Sequence, residues 1–215
     1  MSDKTVSFEL KGIMPLLMHW DDVEQADTLT AWRKDPSNKS ISSPGDDRSP
    51  AWTWLTYIYN DGTHVAFPSH NLMVCLRSAG TQMIMKRQKT FKEASQNGLL
   101  IMTEFLEFKN AGKQIKVADL NKLRDKKFSD HTAGAKKLGF SLDVRRARVG
   151  TSKHIRVRPR FDDWTISGQI RILAKEITIE VLEQMFDLGG RGGLCDWRPS
   201  CKTPGPYGMF SATVK

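Results

Sequence analysis

Hydrophobic and polar residues alternate over short stretches of this 215-residue chain. Alternation of period two places one set of side chains in a core and the other in solvent, so it predicts β-strands. In residues 5–11, Val6, Phe8 and Leu10 alternate with four polar residues. Similar or mostly apolar stretches predict further strands at residues 99–108, 164–173 and 209–214, and a short hairpin at residues 52–67.

Other stretches repeat their apolar residues at helical spacing. One helix is predicted to begin near Ser69 and to end in the basic group at residues 86–89. Another is predicted over residues 178–188, with Thr178 as its N-cap and Gly189-Gly190 as its end. A short helix is predicted over residues 90–97, and loops are predicted at residues 37–50 and 132–139.

The order of these elements predicts the fold class. Without the polar and basic segments at about 21–64 and 109–160, the order is β-α-β-β-α-β, which is typical of the ferredoxin-like fold. The four-stranded sheet of that fold leaves one face open, and RNA-recognition modules bind single strands on it. We therefore predict an α+β protein with one ferredoxin-like, RRM-like domain over residues 1–215, interrupted by two large insertions.

The second predicted insertion ends in an arginine-rich stretch. Residues 143–164 contain six arginines and one lysine in two alternating arms, with Gly150-Thr151-Ser152 between them. This pattern predicts a two-stranded ribbon with a row of guanidinium groups on one face. No acid lies within residues 145–160, and guanidinium groups match phosphate oxygens, so we favour a nucleic-acid contact over a solvated edge strand. The predicted contacts are Arg145, Arg146, Arg148, Lys153, His154, Arg156, Arg158 and Arg160.

The charge of the chain favours the same class of partner. The 33 Lys and Arg against 24 Asp and Glu give a net charge of +9, and residues 109–160 hold sixteen Lys and Arg against four Asp. A basic segment of this kind favours nucleic acid over an anionic membrane surface. Because no apolar run approaches 18 residues and no leader pattern is present, we expect no membrane partner. Three cysteines are typical of a reducing cytoplasm.

A second candidate surface is the loop at residues 189–208, which contains six glycines. Arg191 and Arg198 add charge there, and Trp197 adds a ring on which a base can stack. A helix C-cap followed by an irregular connection explains this composition equally well. The remaining predicted contacts are the basic residues after the first helix, namely Lys86, Arg87 and Lys89.

Catalytic and metal-binding patterns are weak in this sequence. Cys195 and Cys201 form no CxxC pair, and no GxSxG or HExxH motif occurs. We therefore expect no catalytic residue, no metal and no cofactor. If the protein were a ribonuclease, His154 and Asp143 would be the only acid or base candidates near the arginines.

Three groups of motifs carry a resemblance to known proteins. They are GIMPLLMH at residues 12–19, VRRARV and RVRPRFDDW within residues 144–164, and GLCDWRP and GPYGMF within residues 193–210. Together they resemble a family of small, largely uncharacterised phage proteins over nearly the whole chain. That family in turn resembles the RAMP-type backbone subunits of CRISPR effector complexes, which have a modified RRM core and coat a guide RNA as a filament.

The resemblance implies that the ribbon and residues 189–193 and 196–199 contact nucleic acid. In the phage pattern, a glycine is usual at the position that Cys195 occupies here. We therefore expect a non-enzymatic phage protein in the cytoplasm of a bacterial host, binding single-stranded RNA or DNA as a homo-oligomer or filament. Two alternatives remain open. One is a protein-interaction module that mimics a CRISPR backbone subunit within a protein complex, and the other is a RAMP-type ribonuclease.

Overall fold

A computed structural model describes residues 4–43, 45–86, 89–149 and 152–215, and it shows an α+β protein with antiparallel sheets. The strands are Lys4–Gly12 (β1), Leu16–Leu17 (β2), Ala66–Pro68 (β3), Leu99–Leu100 (β4), Phe105–Asn110 (β5), Ser141–Val149 (β6), Ser152–Phe161 (β7), Trp164–Ile172 (β8) and Phe210–Val214 (β9). The helices are Val23–Lys34 (α1), Ser69–Gln82 (α2), Lys92–Asn97 (α3), Val117–Asn121 (α4), Phe128–Lys137 (α5) and Ile179–Gly192 (α6), with 3₁₀ turns at Pro36–Asn38 and Thr53–Tyr57.

The chain divides into two compact units. Unit 1 comprises Met1–Leu16, Ala66–Gln114 and Asp162–Lys215, and unit 2 comprises Leu17–Val65 and Ile115–Phe161. The sequence predicts two separate insertions, whereas the structure folds most of both segments into one unit with a core of its own. Across the described ranges, no helix is both long and apolar enough to cross a membrane.

The sheet of unit 1 has the strand order β3-β5-β8-β1-β9, and β4 also pairs with β8. The pairs of β1 with β8 and β9, and of β5 with β8, are antiparallel. Strands β1, β5, β8 and β9 are the first, second, third and fourth of these in sequence. Across the sheet they lie in the order β9-β1-β8-β5, which is fourth, first, third, second. Helix α2 comes between the first and second of these strands, and α6 between the third and fourth.

One face of this sheet carries the core of unit 1. Val6, Phe8 and Leu10 of β1 are buried, and the ring of Phe8 lies 5.4 Å from that of Phe186 in α6. The intervening residues Ser7 and Glu9 are exposed, so the opposite face of the sheet is open. The strands predicted at 5–11, 164–173 and 209–214 are thus confirmed as β1, β8 and β9, each within one or two residues.

Helix α6 begins as predicted but ends later. The hydroxyl of Thr178 caps it by accepting a hydrogen bond from the amide of Val181, 3.3 Å away. The predicted end at Gly189-Gly190 is wrong, because the helix continues to Gly192. These glycines permit close packing: a Cβ at Gly190 would overlap the carbonyl oxygen of Phe210 in β9.

Unit 2 has a core of aromatic rings. Trp54 and Phe161 are fully buried, and the ring of Phe140 lies 5.8 Å from the former and 5.0 Å from the latter. The indole N–H of Trp54 donates to Nδ1 of His131, 2.9 Å away, so a buried polar pair joins the Thr53–Tyr57 turn to α5. Strands β2, β7 and β6 form the second sheet in that order.

The hairpin predicted from residues 52–59 is wrong, because this stretch forms the 3₁₀ turn Thr53–Tyr57. The hydroxyls of Thr53 and Thr56 donate to the carbonyls of Pro50 and Thr53, both at 2.7 Å. Threonine offers such local hydrogen bonds as an alternative to a strand ladder, and this competition overrides the aromatic and β-branched composition.

Three further predictions need correction. Helix α2 ends at Gln82 instead of reaching residue 89, since Met83 is extended. The strand predicted over 99–108 is split into β4 and β5. The loop predicted at 132–139 lies mostly in α5, and α1 occupies part of the first predicted insertion. Helix α1 has no buried residue, so it leaves no hydrophobic periodicity in the sequence.

Candidate nucleic-acid interface

The arginine ribbon is an antiparallel pair, β6 and β7, with two chemically different faces. Its register places Arg145 opposite Arg156, Arg146 opposite Ile155, and Arg148 opposite Lys153. Directly opposed residues lie on the same side of a sheet, so even-numbered residues of β6 share a side with odd-numbered residues of β7. The predicted two-stranded ribbon is therefore confirmed, but its arginines lie on both faces, four on the side of Arg145 and two on the side of Arg146.

We call the first side the acid-paired face. It carries Asp143, Arg145, His154, Arg156, Arg158 and Arg160. Asp143 is buried, and Nε of Arg145 donates to both of its carboxylate oxygens at 2.9 Å. Nη1 of Arg156 donates to Oδ1 of Asp47 at 3.1 Å. The acids needed to balance these arginines are thus present in the protein itself.

Asp47 reaches the ribbon from a loop 109 positions earlier in the chain. Its side chain is only 2% exposed, and it also accepts a hydrogen bond from the amide of Val157 at 3.1 Å. The loop is held beside β7 because the amide of Ile155 donates to the carbonyl of Gly45, and the amide of Asp47 donates to the carbonyl of Ile155. A contact this distant in sequence leaves no local signal, which is why sequence reasoning missed Asp47.

Two neighbours complete this arrangement. Burial, followed by the charge of Asp47, raises the pKa of Tyr57 to about 12, so the phenol stays protonated and is hydrogen-bonded to Asp47. His154 is half-buried against the same loop, where a Cβ at Gly45 would overlap its Nδ1. His154 therefore packs within unit 2, and its predicted contact with nucleic acid stays a prediction.

We call the second side of the ribbon the basic face. Arg146, Arg148 and Lys153 lie there, and all three are exposed. The side also carries Val144, which is 45% exposed, and the half-buried Ile155. Nearer the core the same side becomes apolar, and Val157 is fully buried. The three cations thus project beyond the part of the ribbon that is anchored in the core.

The charge of unit 2 is unevenly divided between its two segments. Residues 115–161 hold fourteen Lys and Arg against four Asp, a net charge of +10, whereas residues 17–65 hold four against eight, a net charge of −4. Together they give unit 2 a charge of +6, and the rest of the chain carries +3. The acidic segment therefore neutralises part of the basic segment with which it folds.

The loop after α6 is held by its own side chains. Nη1 of Arg198 donates to the carbonyl of Cys195 at 2.6 Å, and its Nε donates to Oγ of Ser200 at 2.9 Å. The ring of Trp197 lies 5.6 Å from that of Tyr207. These contacts give Arg198 and Trp197 a structural role, and their predicted contacts with nucleic acid stay predictions.

Cys195 and Trp197 have φ angles of +63° and +48°, in the left-handed region that favours glycine. Glycine would adopt this conformation at lower cost than cysteine. Burial raises the pKa of the Cys195 thiol and raises that of Cys75 to about 12, so both thiols stay protonated near neutral pH.

The remaining predicted basic contacts lie outside the ribbon. Arg191 is exposed, and its Nη2 pairs with Oδ2 of Asp187 at 2.6 Å. Lys86 and Lys89 belong to a turn after α2, in which the amide of Lys89 donates to the carbonyl of Lys86. Arg87 lies outside the described residues.

Asp143 and His154, the acid or base candidates for a ribonuclease, do not lie next to each other. Asp143 and His154 share the acid-paired face, but the Arg145–Arg156 pair lies between them, four residues along each strand. Four residues of strand span roughly 13 Å, which exceeds hydrogen-bond reach. In the part of the chain that the structure describes, no three His, Cys, Asp or Glu side chains are grouped to hold a metal ion.

The open face of the unit 1 sheet is a third surface. Its two central strands place Thr5, Ser7, Glu9 and Lys11 of β1 opposite Arg171, Gln169, Ser167 and Thr165 of β8. None of these eight residues is aromatic, whereas RNA-recognition modules stack bases on rings at the centre of this face. At the edge of this face lies a pocket of about 310 Å³ next to β5 and β8.

Comparisons with protein families and with curated proteins identify no relative of this chain. No protein-family model matches the chain, and a search of curated proteins finds no match. The resemblance to phage proteins and RAMP-type subunits therefore stays a prediction.

Proposed function

We propose that the protein binds single-stranded nucleic acid, without catalysing a reaction on it, through the basic face of the ribbon. The observation that carries this proposal is the group of Arg146, Arg148 and Lys153, exposed together where the strands are no longer anchored in the core. Alternate residues of a strand lie roughly 7 Å apart and neighbouring strands about 4.8 Å apart, so these cations are crowded. A phosphate backbone relieves their mutual repulsion.

The composition of the basic face also favours a nucleic-acid strand. Guanidinium forks bind phosphate oxygens in pairs, and Val144 and Ile155 offer apolar surface for sugars and bases. The acid-paired face is less suitable, because Asp47 and Asp143 already bind arginines there. We therefore assign phosphate contacts to Arg146, Arg148 and Lys153, and a folding role to Arg145 and Arg156.

The strand order of unit 1 supports a ferredoxin-like core, which we propose as its fold. The order fourth, first, third, second, with a helix after the first strand and after the third, is that of the β-α-β-β-α-β arrangement. Single-strand-binding modules use this arrangement, which is why we propose a single strand as the ligand. RNA as the strand, assembly into a filament and membership of a protein complex stay predictions.

The basic face can be tested by removing its three charges together. We expect the triple variant Arg146→Gln, Arg148→Gln, Lys153→Gln to bind labelled oligo(U) and oligo(dT) more weakly than wild type. Each phosphate contact on a single strand contributes a slope of about 0.7 to the plot of log affinity against log salt, so the slope should fall by about 2. Fluorescence anisotropy at several salt concentrations measures both quantities.

A matched control removes three exposed lysines from unit 1. The variant Lys92→Gln, Lys113→Gln, Lys175→Gln loses the same charge, and we expect it to keep most of the wild-type slope. Equal slopes for wild type and the basic-face variant would contradict the proposal. An equal loss in both triple variants would show that net charge, and not the ribbon, governs binding.

A further inference from the structure

The pocket on the open face of unit 1 is formed by an interruption in the sheet. Strand β4 pairs with β8 at Leu100 and Arg171, and β5 pairs with β8 at Glu107 and Ser167. Between these two pairs lie six residues of one segment, 101–106, and only three of β8, 168–170. The six-residue segment is too long to pair throughout, so it bends away from β8. The resulting pocket has a volume of about 310 Å³, at the lower end of the range for small-molecule sites.

The pocket combines apolar walls with groups of opposite charge. Met102, which is 70% exposed, and the half-buried Phe105 provide apolar surface, while Glu107, Gln169 and Arg171 provide polar groups. Small planar molecules bind well between apolar walls when a few polar groups fix their orientation.

The carboxylate of Glu107 is an acceptor for further hydrogen bonds. Nζ of Lys109 donates to it at 2.8 Å and Oγ of Ser167 at 3.0 Å, and within the described residues both bonds fall on Oε2. The bond from Lys109 lowers the pKa of Glu107, so the carboxyl is ionised at neutral pH. An ionised carboxylate accepts hydrogen bonds from amino and imino groups, so the pocket suits a base.

We propose that this pocket binds one guanine base of a nucleic acid. Guanine is the base with adjacent N1–H and N2–H donors, which the carboxylate of Glu107 accepts, and with the acceptors O6 and N7, which the guanidinium of Arg171 matches. The proposal rests on the proposed function only in taking a nucleic acid as the ligand. It gives the protein a base preference that the basic face alone cannot supply.

The pocket is tested with nucleosides, which lack phosphate and so do not depend on the ribbon. We expect guanosine to bind wild-type protein saturably in titration by NMR. Inosine, which lacks only the N2 amino group, should bind about tenfold more weakly, since it loses one hydrogen bond to a charged group. Adenosine, which lacks both donors and presents N1 as an acceptor, should bind more weakly still. Glu107→Gln should remove the preference for guanosine, while its melting temperature serves to verify the fold.

Glu9→Gln is the matched control. Glu9 lies on the same open face and opposite Ser167 on the other side of β8, but it does not line the pocket, so this variant should keep the preference. Equal binding of guanosine and adenosine, no binding of guanosine, or an unchanged preference in Glu107→Gln would overturn this inference. The basic-face triple variant should still bind guanosine, so failure of the ribbon proposal and failure of the pocket proposal give different results.

Discussion

At the scale of single residues, buried acids decide what the arginines of the ribbon do. Asp47 is 2% exposed and Arg156 is 29% exposed, so the pair is largely removed from water. Leaving a carboxylate buried without its partner costs several kcal/mol, more than a typical surface phosphate contact contributes. Arg156 therefore remains with Asp47, whereas Arg146 lies exposed on the opposite face.

His131 gives a residue-scale prediction on pH. Its Nδ1 accepts from Trp54 and its Nε2 lies 3.1 Å from the carbonyl of Lys126, so the ring is neutral with its proton on Nε2. Burial lowers the pKa of His131 below its ordinary value of 6.5. The unfolded chain therefore binds this proton first, and we expect the free energy of unfolding to decrease as the pH falls from 6.5 through the lower folded pKa.

Urea denaturation between pH 5 and pH 8 measures this decrease. The carboxyl groups with lowered pKa, such as Asp61 and Glu107, titrate below this window, so they interfere little. His131→Phe should be less stable at pH 8, because the Trp54 N–H loses its acceptor, and its stability should depend less on pH. If His131→Phe keeps the wild-type dependence on pH, another group is responsible.

At the scale of elements, the sequence predicts those whose burial follows one regular period. Strand β1 alternates exposed and buried residues from Thr5 to Lys11, and α6 has both a clear apolar side and a threonine cap. The elements it misses are stabilised by other means. Helix α1 buries nothing, and its start is held by Asp22, which accepts from the amides of Glu24 and Gln25. The Thr53–Tyr57 turn depends on threonine hydroxyls.

The two candidate sites, the ribbon and the pocket, also differ in how far the sequence predicts them. The ribbon was predictable because its charges are contiguous in sequence, but the division of its faces depends on a register that composition does not reveal. The pocket gathers Thr5, residues 102–107 and residues 167–171, three short segments without a shared pattern. Only the pairing of β4 and β5 with β8 brings them together, so no sequence signal could have found it.

The packing of α6 against β9 gives an element-scale prediction. A Cβ at Gly190 would overlap the carbonyl oxygen of Phe210, which is backbone and cannot rotate away. We expect Gly190→Ala to lower the free energy of unfolding by about 1–3 kcal/mol, the usual cost of overpacking. Gly192→Ala is the matched control, since its Cβ would lie 3.7 Å from that of Ser200, an ordinary contact.

Gly192→Ala should be neutral or stabilising by up to about 1 kcal/mol, because alanine favours the helix over glycine. Chemical denaturation of both variants measures the difference. Two variants that change stability by the same amount and in the same direction would contradict the close approach of α6 and β9.

At the scale of the whole molecule, the chain folds around two separate cores. The basic and acidic segments of unit 2 are separated in sequence by residues 66–114 of unit 1, and they contribute to one core around Trp54. Unit 1 has a second core around Phe8 and Phe186. Each unit thus has its own buried apolar cluster, which is the physical requirement for a separate cooperative unit.

Two variants, one in each core, test whether the units open separately. We expect Asp47→Asn to destabilise unit 2 by about 3 kcal/mol, because Arg156 loses its charged partner while remaining largely buried. Hydrogen exchange should then become faster in peptides from Leu17–Val65 and Ile115–Phe161 and stay unchanged in unit 1. Gly190→Ala should produce the opposite distribution. Faster exchange throughout the chain in both variants would show instead that the two units unfold as one.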